Sequence, residues 1–116
     1  MGRRGRRRRQ GGKEPVSTTE YTDPEGNVLT VRDAVSTGTL RQLEQIESSP
    51  GASQEDKYQR RGELLFERFA VGWTIAGLPL EGQRELLGRY RMADAGTRRW
   101  VRETLERHLS ELNLHT

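Results

Sequence analysis

The sequence predicts a mainly α domain: about four helices around one central apolar helix, preceded by a β-hairpin and a disordered basic arm. Three observations lead there. Residues 64–80, LLFERFAVGWTIAGLPL, hold both phenylalanines and one of the two tryptophans. Tyr58, Leu65, Phe69, Trp73 and Ala76 follow at steps of seven, four, four and three, one stripe of a helix with 3.6 residues per turn. The remainder is polar: 31% apolar and 32% charged residues over 116 positions leave material for one thin core. Leu64, Phe66, Val71 and Ile75 widen the stripe, so this helix needs cover on more than one side. Glu67 and Arg68 near its start, with Gly77 and Pro79 near its end, make it too short to span a membrane.

The elements follow in chain order. Residues 1–14 form the Arg-rich arm, and residues 15–113 the single domain. Arg3, Arg4, Arg6, Arg7, Arg8, Arg9 and Lys13 give residues 1–13 a charge of +7 without an acid; the whole chain is +3, so the rest carries −4. Such a segment has nothing to bury that would offset its ordering entropy. The pI of about 9.8 therefore describes a tail joined to a mildly acidic body, and a basic DNA-binding domain is not implied. No apolar run follows the arginines, so a secretory signal is not expected. Without cysteine there is no disulfide, thiol nucleophile or thiolate metal site, and a cytoplasmic location is expected.

Residues 16–32 read as the hairpin. Val, Thr and Tyr favour strands, Asp23-Pro24-Glu25-Gly26-Asn27 is turn chemistry, and Val28–Val31 makes the second strand. Two strands alone are marginal in water. The hairpin therefore lies on the helices or pairs Val28–Val31 with another chain, which leaves a homo-oligomer open. Helices are expected at about 37–48, 54–76, 80–92 and 95–113. Ser36 or Thr39 caps the first, Ser53 with Asp56 the second, and Asp94 the last; Gly77 and Pro79 end the second. Trp100, Val101, Leu105, Leu109 and Leu112 form the buried stripe of the last helix, opposite Arg99, Arg102, Glu103, Glu106 and Arg107.

No constellation looks catalytic, and no cofactor or metal site is implied. His108 and His115 are the only imidazoles, and neither has a second ligand at metal spacing; His108 reads as a surface or partly buried residue. Phosphate loops and nucleophile elbows are absent from the sequence. Arg98, Arg99 and Arg102 invite a helix-turn-helix reading. Trp100 and Val101, though, are needed for the core, and Asp94, Glu103 and Glu106 would face phosphate.

The plan of the chain resembles that of the small tail assembly chaperones of tailed bacteriophages and prophages. The likeness rests on Tyr21–Val31 as an early hairpin, Leu40–Ile46 as a short helix, Leu64–Leu80 as an apolar Trp-containing helix, and Arg98–Leu109 (RRWVRETLERHL) as a closing amphipathic helix. It implies a non-enzymatic function: helical subunits that coat a long helical tape-measure protein and help load tail-tube subunits. The expectation is a protein-binding module whose candidate contact residues are Trp73, Leu78, Tyr90 and Trp100, wherever the core leaves them uncovered. The alternative is a nucleic-acid- or ribosome-associated protein that binds phosphate backbone through the arginines of the arm.

Overall fold

The structure, a computed structural model, describes residues 17–114. Its elements are β1 (Thr18–Thr22), β2 (Val28–Arg32), α1 (Thr37–Glu47), α2 (Gln54–Phe69), β3 (Ala70–Ile75), β4 (Leu78–Leu80), α3 (Gln83–Met92) and α4 (Ala95–Leu114). The strands form one antiparallel sheet in the order β1-β2-β3-β4. The fold is thus α+β, and the expectation of a mainly α domain with a lone hairpin is corrected.

The error lies in the expected helix 54–76. The helix stops at Phe69, and Ala70–Ile75 continues without a linker as a strand. β-branched Val71, Thr74 and Ile75, with Gly72 between them, disfavour helix and suit a pleated surface. Their decisive partner is distant: Val28, Leu29 and Thr30 pair with Thr74, Trp73 and Gly72. Both edges of β2 are occupied within the chain, so the expected self-assembly edge at Val28–Val31 is covered by β1 and β3. Residues 76–77 make the two-residue turn of a second hairpin, with φ of 53° at Ala76 and 80° at Gly77. Positive φ at both centres is the turn that matches strand twist, and the alanine there costs about 1 kcal/mol. Leu80, expected to open the third helix, belongs to β4 instead.

Local chemistry accounts for the remaining boundaries. Ser36 and Ser53 cap α1 and α2 by accepting from the amides of Thr39 and Asp56, each at 3.0 Å. Asp94 accepts from Thr97 N at 2.7 Å, and this bond holds its carboxyl below the ordinary carboxylate range. In the first turn Asp23 accepts from the amides of Glu25 and Asn27, and Gly26 takes φ of 89°. Asn27 then reaches across to accept from Ala76 N at 2.9 Å, tying the two hairpin turns together.

The core fills one face of the sheet. Tyr21, Leu29, Trp73 and Leu80 make a row across all four strands. Phe66, Phe69, Leu65, Leu86, Tyr90, Val101, Leu105 and Leu109 pack against that side from α2, α3 and α4. The opposite face carries Thr18, Glu20, Thr22, Thr30 and Thr74, residues that suit a solvated surface.

Candidate functional site

Three places concentrate chemistry, and α2 or α4 builds each. A groove runs along α2 where α1 and α3 flank it. Arg60, Glu63, Leu64 and Glu67 line it from α2 at steps of three, one and three, with Gln42, Gln45 and Ile46 from α1 and Leu87 and Arg91 from α3. Its volume is about 550 Å³. Leu64, Ile46 and Leu87 are half-buried, so the groove has an apolar bottom and a polar rim. Arg91 and Glu63 form a bidentate pair at 3.0 and 3.2 Å on that rim.

Past this pair lies a second cavity of about 410 Å³, lined by Glu55, Gln59, Glu63, Tyr90, Arg91, Ala95, Arg98 and Arg102. Gly62 makes it feasible. A Cβ there would collide with Cδ of Arg102, so the missing side chain is what lets the arginine stem cross α2. The Arg102 guanidinium lies 4.1 Å from the centre of the Tyr58 ring. Its Nε is buried without a hydrogen-bond partner. Burial raises the Tyr90 phenol above its ordinary value, against the opposing pull of Arg102.

The third place is His108, which is buried in the interior. Its Nε2 lies 2.8 Å from the Arg32 carbonyl, which can only accept, so Nε2 carries the hydrogen. Nδ1 shares a hydrogen bond with the Tyr21 hydroxyl at 2.7 Å. Asp33 stands 3.3 Å from Nε2 and receives the hydroxyls of Thr19 at 2.6 Å and Ser17 at 2.9 Å. The Thr19 bond, helped by Ser17 and His108 against partial burial, holds the Asp33 carboxyl below its usual range. Tyr21 is raised, chiefly by burial. The imidazole edges onto both Tyr21 and Phe69, with ring centres 5.5 and 5.3 Å apart. Both ring nitrogens are occupied and the ring is enclosed, so the arrangement joins β1, β2 and α4 and presents no free atom to a ligand. The reading of His108 as a surface or partly buried residue is corrected.

The four expected contact residues do not share a surface. Trp73 and Tyr90 are each 2% exposed, on either side of Phe66: Tyr90 stacks on that ring at 4.8 Å, and Trp73 meets it edge-on at 5.7 Å. Trp100 is half-buried against the core. Leu78 alone stands out, 71% exposed on edge strand β4. Arg3, Arg4, Arg6, Arg7, Arg8, Arg9 and Lys13 lie outside the described residues. Among the described residues no cluster of three or more metal-ligating side chains occurs, and no helix is long and apolar enough to cross a membrane. Comparison with known proteins finds no matching family model, curated protein or solved structure.

Proposed function

We propose that this domain is a non-enzymatic protein-binding module that holds an amphipathic helix of a partner in the groove along α2. The observation that carries the reading is the groove itself: a strip of half-buried Leu64, Ile46 and Leu87 between two helices, rimmed by Gln42, Gln45, Arg60, Glu63, Glu67 and Arg91. An apolar floor with rim groups of both signs and amides complements a helix with an apolar stripe and mixed charged flanks. Coating of a tape-measure-like protein is the particular form that the resemblance to tail assembly chaperones implies. Of the segments behind that resemblance, the early hairpin, the short helix and the closing amphipathic helix are present as such; residues 64–80 divide between α2, β3 and β4.

Photo-crosslinking in native host extract tests the reading, with a photoreactive amino acid at Gln45 or Arg60 on the rim and, as a control, at Glu20 on the open sheet face. The expected product is one protein joined from both rim positions, through a peptide whose apolar residues recur at three and four. Crosslinks from Glu20 alone, or rim products scattered over many proteins, would sink the idea.

A further inference from the structure

We propose that the cavity lined by Arg98, Arg102 and the Tyr90 hydroxyl, beside the α2 groove, is a carboxylate-binding site. Its central feature is an arginine whose stem passes over Gly62 and whose Nε is buried and unpartnered. That Nε is closed off from the cavity, so an acceptor in the cavity meets the rest of the half-buried guanidinium, where a charge-assisted bond gains more than on open surface. Among the described residues, neither Arg98 nor Arg102 has a carboxylate oxygen within salt-bridge distance. Arg98 is held at the cavity by a bond from its Nη1 to the Arg91 carbonyl at 3.3 Å.

Charge balance selects the class of ligand. The lining acids are Glu55 and Glu63, and the lining bases Arg91, Arg98 and Arg102. Glu63 is matched by Arg91, while Glu55 accepts from the Gln59 amide at 3.0 Å. One positive charge is left uncompensated. That suits a monoanion, whereas a phosphate dianion would meet two carboxylates with too little charge to offset them. A planar carboxylate also matches the fork of an arginine. At about 410 Å³ the cavity takes the carbon chain that carries the acid group as well.

The site rests on its own geometry, and the groove reading supplies one source of the acid. Glu63 and Arg91 line both cavities, so a helix in the groove would place an acidic side chain here. The other source is a free small carboxylic acid.

The test is NMR of arginine Nε–Hε signals in the full chain, titrated at constant ionic strength with sodium acetate, sodium chloride or sodium phosphate. Acetate is expected to shift Arg98 and Arg102 saturably while exposed Arg41 and Arg84 stay in place. Arg98→Gln and Arg102→Met, the latter keeping an apolar stem over Gly62, are each expected to weaken acetate binding by about tenfold. An acetate response no larger than that of chloride, tighter binding of phosphate, or acetate binding indifferent to both substitutions would overturn the assignment. A second arm uses an acetylated, amidated amphipathic peptide with a single glutamate. If it moves Arg98, Arg102 and the Gln42 and Gln45 amides together, the docked helix is the source. Acetate binding with no peptide response supports a free acid and counts against the groove reading alone.

Discussion

His108 and Arg102 stand six positions apart on α4, and both bring polar atoms inside the protein. They have opposite surroundings. Each nitrogen of His108 has a partner, and the carboxylate beside it is held by two hydroxyls. Arg102 has an aromatic face beneath its guanidinium, but its Nε is left without a partner, and it borders a cavity. A satisfied buried network fixes one arrangement of the chain, whereas a half-buried guanidinium at a cavity can still take a ligand. One helix thus carries a structural lock at one site and a receptive group less than two turns earlier.

The largest expected effect is at the lock. His108→Ala removes buried volume and strands the Tyr21 hydroxyl and the Arg32 carbonyl, and it should lower unfolding free energy in urea by about 3–4 kcal/mol. A loss below about 1 kcal/mol would show that the network adds little, and the contrast with Arg102 would collapse.

The second test concerns the receptive group. Gly62→Ala ought to stabilise an exposed helix by about 1 kcal/mol. Here the new Cβ would meet the Arg102 stem, so the expected outcome is a loss of about 1–2 kcal/mol. In an Arg102→Ala background the same change should become neutral or favourable, giving a coupling near 1–3 kcal/mol in a double-mutant cycle. Additive effects would mean that Gly62 does not serve the arginine.

The smallest effect is the pH dependence of the lock. Asp33 has a folded pKa below its unfolded value, so its contribution is complete above the ordinary carboxylate pKa of about 3.9 and is lost as pH falls through the lower folded value. Stability measured from pH 6 down to pH 2 should therefore fall less steeply in Asp33→Asn than in the parent. Parallel curves would detach Asp33 from the network.

Features set by neighbours in the chain were legible in the sequence. The turn at Asp23–Asn27, the caps Ser36, Ser53 and Asp94, and the stripe of α4 all rest on contacts within a few residues. Strand β3 was not legible, because Phe69 and Trp73 extend the helical spacing of Leu65. What makes Ala70–Ile75 a strand is pairing with Val28–Val31, about forty positions earlier. The sites were harder still. Which of the candidate aromatic residues the core covers depends on tertiary packing: Phe66 lies between Trp73 and Tyr90 and buries both. The groove has no sequence signature beyond an ordinary amphipathic α2. Gly62, inside an otherwise strong helix, was the one local trace of the Arg102 crossing, and glycine in that position asks what passes close by.

The bond between Tyr21 and His108 spans 87 positions of the chain. On a ribosome adding about 5–20 residues per second, the tyrosine is made some 4–17 s before the histidine to which it bonds. Through that interval the first hairpin waits, at first without β3 and then without α4, with Leu29 and Val31 still uncovered. Helix α4, made after every strand of the sheet, is thus the one that seals β1. A nascent chain stalled before residue 108 would present to nearby chaperones and proteases a sheet whose apolar face α4 does not yet seal.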